Sequence, residues 1–388
     1  MIKKLNPFDL RLSQLVELIE IPQSHYELAV KRYQSLAEWF KRENSTVANF
    51  SPYIFSQGSF QFGTVIRPLT EREEYDLDLA CQLQLLATSV TQQQLKELLG
   101  HEIKLYAKAN NFKSPAEEKR RCWRLNYADT VSFHMDIVPA IPDTPEFIQA
   151  LIDAGIDERY AKFSSTITDI ESDCFRLLSP HWPKSNPNGY AKWFLFRMQE
   201  IAAYQLKSLV ENRAYATVDD VPLYELKTPL QRCIQLLKRH RDIMYKDDPE
   251  FKPVSIIITT LAAHAYNGES NIGDAMNSIL AGMASYVQQA TPRIANPANP
   301  LEDFADKWAT NPLLERNFNT WLRQAQQDFV NISQLDGTRL KGIIEKKFNV
   351  NFNATNTTVP AITSAAVPAI HVPTPKVHIT APPSPWGK

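Results

Sequence analysis

Residues 74–85, EYDLDLACQLQL, alternate apolar and polar side chains over most of their length. Tyr75, Leu77 and Leu79 fall on one side, Asp76 and Asp78 on the other. A period of two predicts a β-strand with one polar face. That pattern makes two demands on any fold: the apolar side must be covered, and two carboxylates must open into one shared space. Acids two apart on a strand project to the same side, about 7 Å from each other along the backbone. Like charges so close resist ionising together unless a cation lies between them. Magnesium takes oxygen ligands and usually keeps substrate phosphates among them.

The rest of the chain supplies a frame for that strand. Residues 9–46 read as helical, with Leu28, Tyr33, Leu36 and Phe40 at helical spacing and a break before Pro22, near Ile21. Tyr53-Ile54-Phe55 reads as a short strand, and Ser56 to Phe60 as a turn. Residues 91–111 are helical. CWRLNY and VSFHMDIVPAIP read as two strands of a hairpin turning around Ala128-Asp129. Beyond about residue 150 the helical period dominates. It covers 189–212, then 230–245 behind Thr228-Pro229, the apolar 255–268, 299–330 and 336–348. Proline at the first helical position sacrifices no hydrogen bond. After Phe352 the composition turns to Pro, Thr, Ala and Val without period, the signature of an extended or disordered tail. The expected class is α+β: a sheet core with N-terminal helices over 1–150, a mainly helical lobe over 151–350 that completes a cleft, and a flexible tail over 351–388.

Two further features join the paired acids. Gly58-Ser59 precedes them, and glycine lets backbone approach a ligand closely while backbone N–H groups and a serine hydroxyl grip phosphate. Asp136, in FHMDIVPA, comes from a later strand, so a third carboxylate can complete a site for two ions about 4 Å apart. Arg67, in the segment between, would brace the loop or touch phosphate. DxD alone is a weak signal; the ordered set is specific.

QGSFQFGTVIRP, EYDLDL and FHMDIVPA resemble the core of the polymerase-beta-like nucleotidyltransferases. Within that superfamily the chain is similar to the bacterial cyclic-oligonucleotide synthases, relatives of cyclic GMP-AMP synthase that act in anti-phage signalling (CBASS). WPKSNPNGYAKWF, KTPLQRCIQLLKRHRD and KPVSIIITTLAA extend the resemblance to about residues 15–345. It implies a polymerase-beta-like sheet core, and catalysis with two Mg2+ ions, Mn2+ being the alternative, on Asp76, Asp78 and Asp136. A hydroxyl of one nucleotide attacks the α-phosphate of another triphosphate, pyrophosphate leaves, and a second round closes a di- or trinucleotide ring. Asp136 would accept the hydroxyl proton. Ser59 corresponds to the serine that contacts the triphosphate, Lys238 to a lysine on the β/γ-phosphates and Ser255 to a phosphate-binding serine. Gln57 stands beside the loop as a ligand or a support.

Each of these residues has a plainer reading. Lys238 would be a solvated helix residue, as Arg239, His240 and Arg241 are expected to be; Ser255 would cap the helix it opens; His134 would be a satisfied structural histidine; Tyr190, Trp193 and Phe194 would be core. The substrates implied are nucleoside triphosphates, ATP with GTP, UTP or CTP as alternatives. The lack of a zinc insertion gives no support to activation by double-stranded DNA, which is not expected, and the tail reads as a linker or as a handle for an accessory regulatory protein. Transfer to RNA, a protein or a small molecule is the alternative function, and a catalytically dead binding module is a third. The net charge of -1 speaks against an RNA-extending enzyme. No apolar run approaches the ~20 residues of a membrane span. Cys81, Cys122, Cys174 and Cys233 form no CxxC pair and are expected to be buried free thiols of a cytoplasmic protein.

Overall fold

The structure is a computed structural model describing residues 6–70, 73–128, 131–199, 201 and 227–353. The tail beyond Asn353 and most of 200–226, including the far end of the expected 189–212 helix, lie outside the described residues.

Two helices open the chain: α1 (Pro7–Ile19), capped by the Asn6 side chain with proline in its first turn, and α2 (Gln23–Lys41). β1 (Tyr53–Ser56), the one-turn α3 (Gly58–Gln61) and β2 (Tyr75–Gln82) follow. Helix α4 (Gln92–Ala109) starts on a reciprocal Thr91–Gln94 capping box, a device that stabilises a helix by about 1 kcal/mol. Next come β3 (Glu117–Glu118), β4 (Trp123–Ala128), β5 (Ser132–Pro142), α5 (Pro145–Asp153), α6 (Glu158–Ala161), β6 (Ser165–Ile167) and β7 (Lys184–Ser185).

One sheet runs β1-β2-β5-β4-β3, with β6 and β7 continuing from the far end of β5; β2 and β5 are parallel and the other pairs antiparallel. The alternation anticipated for the acidic strand holds. Tyr75, Leu77 and Leu79 are buried, as are Phe133, Met135 and Ile137 of β5, and all six face α2 and α4 in one core. Burying side chains of this size contributes roughly 1.5–3 kcal/mol each, so the apolar face holds the acidic face at fixed orientation.

The second lobe comprises α7 (Pro187–Arg197), α8 (Pro229–Met244), α9 (Ser255–Ala265), α10 (Ile272–Gly282), the hairpin β8 (Ala295–Asn296) and β9 (Asn299–Asp303), α11 (Pro312–Gln334) and α12 (Gly337–Phe348). Helix α8 lies at its centre, touched by α1, α9, α10, α11 and α12.

Four expectations need correcting. Helix α1 does not sit on the sheet: Phe8, Leu12, Leu15, Val16 and Ile19 are buried in the core of the helical lobe. Residues 299–311 are not part of the α-helix; Asn299–Asp303 pairs with β8, a 3-10 turn spans Asp306–Trp308, and the α-helix begins only at Pro312, capped by Asn311. Arg239, His240 and Arg241 are not on the surface but at most 3% exposed. Because α8 is surrounded, each of them finds a partner inside: Arg239 reaches the Arg67 carbonyl, His240 the Asp328 carboxylate, and Arg241 the Pro253 carbonyl. All four cysteines are free, but only Cys81 and Cys233 are buried; Cys122 and Cys174 are partly exposed.

Candidate active site

The acids lie on the open face of the sheet, where it meets α8 and α9. In the parallel pair β2/β5, Asp78 stands in register with Asp136 and Asp76 with His134. Asp76 and Asp78 line a cleft of about 770 Å³, together with Gly58, Ser59, Lys238 and Ser255. Burial, then the charges of Asp76 and Asp136, raise the Asp78 carboxyl to about 7, although Lys238 and Arg124 pull the other way.

The Gly58 turn is fitted to this acid. The pairing of β1 with β2 continues into the loop, where the Gln57 N–H donates to the Asp78 carbonyl (2.7 Å). Gly58 has φ +59°, and a Cβ there would lie 2.6 Å from Asp78 Oδ2. Ser59 follows in the single turn of α3. The Gln57 side chain caps nothing and does not line the cleft, while its backbone N–H joins the loop to the acidic strand.

Across the cleft, Lys238 is 7% exposed and donates to the Thr64 carbonyl (2.9 Å). Burial, and then Arg241, lower its ammonium to about 8. Its neighbours on α8 hold the same loop: Gln231 donates to the Phe62 carbonyl and Gln235 to the Val65 carbonyl, both at 2.8 Å. Ser255 opens α9 but does not cap it; its hydroxyl accepts from Arg241 (2.8 Å). Arg67 lines the cleft while donating to the Glu20 carbonyl (3.2 Å), the bracing role of its two readings.

Asp136 is placed differently from its two companions. Both of its oxygens receive the guanidinium of Arg124, Nε at 2.7 Å and a terminal nitrogen at 2.7 Å, and it does not line the cleft. Among the described residues, no three carboxylate, imidazole or thiol groups stand close enough to cage a metal ion as they are. The donor set is nonetheless that of a hard cation: three carboxylates on adjoining positions of one sheet face. His134 is held at both ring nitrogens, by Asn126 (2.8 Å) and Glu74 (2.5 Å), as a structural histidine would be. Tyr190, Trp193 and Phe194 are core, the Tyr190 hydroxyl meeting that of Thr260 (2.9 Å).

Sequence reasoning missed Arg124, Asp242, Lys246 and Lys252, of which the last three line the cleft, and it assigned Arg241, which also lines the cleft, to the surface. For Arg124 the sequence shows only that its strand pairs with that of Asp136; the register that joins the two side chains is not in it.

Residues 52–139, which hold Gly58, Ser59 and all three acids, match the family model described as cyclic GMP-AMP synthase DncV-like, nucleotidyltransferase domain. Over that region the chain is similar to the DncV-like nucleotidyltransferases. It is 28% identical over 339 residues to a c-di-GMP synthase of Roseivirga ehrenbergii, covering 86% of this chain and 82% of that protein. It is 24% identical over 332 residues to the cyclic dinucleotide synthase CdnG of Bradyrhizobium diazoefficiens, covering 82% and 74%. A structure of the Bradyrhizobium enzyme in complex with GTP shares the fold, with a TM-score of 0.64 at 21% identity over 88% of this chain and 96% of that one. Like these relatives, this DncV-like chain is a nucleotidyltransferase. Among its described residues no helix is long and apolar enough to cross a membrane.

Proposed function

We propose that this nucleotidyltransferase joins nucleoside triphosphates into a cyclic dinucleotide or trinucleotide, releasing pyrophosphate, as the signal-producing step of a bacterial anti-phage response. One observation carries the reading: Asp76 and Asp78 open into the same cleft as Ser59 and Lys238. Carboxylates and phosphate-binding groups then face each other across a space large enough for more than a single nucleoside. The names of the relatives favour a dinucleotide and make GTP the first substrate to test.

In this scheme Gly58 brings the backbone against the phosphates, Ser59 donates its hydroxyl to them, and Lys238 and Ser255 take the β- and γ-phosphates. Asp76, Asp78 and Asp136 would hold two Mg2+ ions, with Mn2+ as the alternative. When bound, the ions would lower the attacking hydroxyl's pKa and absorb charge in the transition state. The hydroxyl oxygen of one nucleotide bonds to the α-phosphorus of the other, Asp136 accepts the proton, and the bond to pyrophosphate breaks. The same events between the ends of the linear product close the ring.

The test is incubation with labelled nucleoside triphosphates and Mg2+ or Mn2+. A product that resists phosphatase is expected, and cleavage by nuclease P1 reports its linkages. Label appearing instead on RNA, on a protein or on a small acceptor would replace this reading with the alternative transferase. The near-neutral charge of the chain weighs against an RNA acceptor.

A further inference from the structure

Arg124 has no part in the scheme above, and its pairing with Asp136 gives it one. The two residues are register partners across β4 and β5, and Asp136 is in turn the register partner of Asp78 on β2. One row of the sheet therefore reads acid, acid, arginine. The fork is the bidentate arrangement that fixes a carboxylate's plane as well as its position, and an arginine keeps its charge at every working pH. Asp76 and Asp78 face the cleft with no such partner, while Asp136 has both oxygens engaged and one positive charge at contact distance.

We infer that Arg124 is a positioning residue that divides the acids into an open pair and a guarded third ligand, so that a first divalent cation loads at Asp76 and Asp78 and a second must compete with Arg124 for Asp136. The inference rests on the metal-dependent reading of the site. It makes the second ion weak until substrate phosphates add their own oxygens, which ties full cation loading to the presence of nucleotide.

Mn2+ titration of the full chain without nucleotide, counting bound ions by the loss of the free-ion paramagnetic resonance signal, tests it. The unaltered chain should show one tighter and one weaker ion. Arg124→Gln should tighten the weaker ion about ten-fold, since a unit charge is removed at close range, and should lower kcat with KM for the triphosphate little changed. Arg124→Lys keeps the charge and loses the fork; it should fall between the two in affinity and recover only part of kcat. Weaker-site affinity in Arg124→Gln within two-fold of the unaltered chain overturns the inference, as does an Arg124→Lys variant that matches the unaltered chain in both readouts. A chain that takes up no Mn2+ at all fails the metal reading itself. Asp78→Asn separates the two failures, since it should abolish the tighter ion whatever Arg124 does.

Discussion

Asp78 and Gly58 are fitted to each other so closely that the side chain glycine lacks would begin 2.6 Å from the Asp78 carboxylate. Gly58 also has φ +59°, a conformation that disfavours a Cβ by roughly 1–2 kcal/mol. Gly58→Ala therefore meets two penalties, and the neighbour that must yield is a proposed metal ligand. We expect product formation to fall by at least about 100-fold while the chain still folds, with Tm lowered by several degrees. Far-ultraviolet circular dichroism with a turnover assay checks both. Near-normal turnover would mean that Asp78 can shift without consequence and would remove it from the reacting centre.

The raised Asp78 carboxyl makes a claim about stability. Its folded value of about 7 lies above the 3.8 of an ordinary aspartate, so the folded chain binds the proton more tightly than the unfolded one. Without metal, stability from this group falls as pH rises from about 4 through about 7. A divalent cation should reverse the trend, because the ionised form is then the favoured ligand. Thermal melts at pH 5 and pH 8, with and without Mg2+, should show the larger cation-induced rise at pH 8. Asp78→Asn should melt higher than the unaltered chain at pH 8 without metal, gain little from Mg2+, and make no product. A destabilised, cation-responsive Asp78→Asn would contradict the assignment.

Lys238 tests the opposite wall. Its ammonium is lowered to about 8 by burial and by Arg241, so holding the charge inside opposes folding below that pH, and the penalty fades as pH rises from about 8 toward 10.5. Lys238→Met keeps the length and removes the charge at the cost of one hydrogen bond to the Thr64 carbonyl. A bond from a charged donor is worth about 1.5–3 kcal/mol, against a relief of about 3 kcal/mol for a fall from 10.5 to about 8, so stability at pH 7 should hold or rise slightly. Triphosphate binding should suffer: KM is expected to rise about ten-fold or more, as for the loss of a charged phosphate contact. Unchanged KM would leave Lys238 as a clamp on the loop alone.

What the sequence disclosed follows from how local each signal is. Asp76 and Asp78 were legible because a period of two needs only the strand itself, and Gly58-Ser59 because a turn needs only its own residues. Arg124 was hidden by register. A hairpin turning at Ala128-Asp129 sets Arg124 opposite Phe133, whereas the chain pairs Ala128 with Ser132 and so sets Arg124 opposite Asp136. Arg239, His240 and Arg241 were misread because charges on an amphipathic helix are assigned to water, and α8 has helices on nearly every side. The helical lobe's hairpin was lost in 299–311, whose strand is only five residues long and paired to two.

The buried partners of α8 give a last expectation, one independent of the chemistry. Asp328 on α11 accepts from His240 (3.0 Å), Lys347 (2.8 Å) and Gln324 (3.0 Å). Burial alone would raise its carboxyl, but these three donors outweigh burial and hold it at about 2, below its usual 3.8. A depressed folded value contributes stability above about pH 4 that is lost as pH falls toward 2, worth about 2 kcal/mol for a shift of this size. Asp328→Asn should remove that contribution and leave His240 and Lys347 facing a neutral amide, the costly way to break a buried pair. At pH 7 the variant should lose about 3 kcal/mol in urea unfolding, and its stability should fall less than that of the unaltered chain as pH drops from about 4 toward 2. Because α11 and α12 meet α8 behind the cleft wall, KM for the triphosphate in the folded fraction should stay the same. A variant as stable as the unaltered chain would show that the Asp328 carboxylate adds nothing to holding α8.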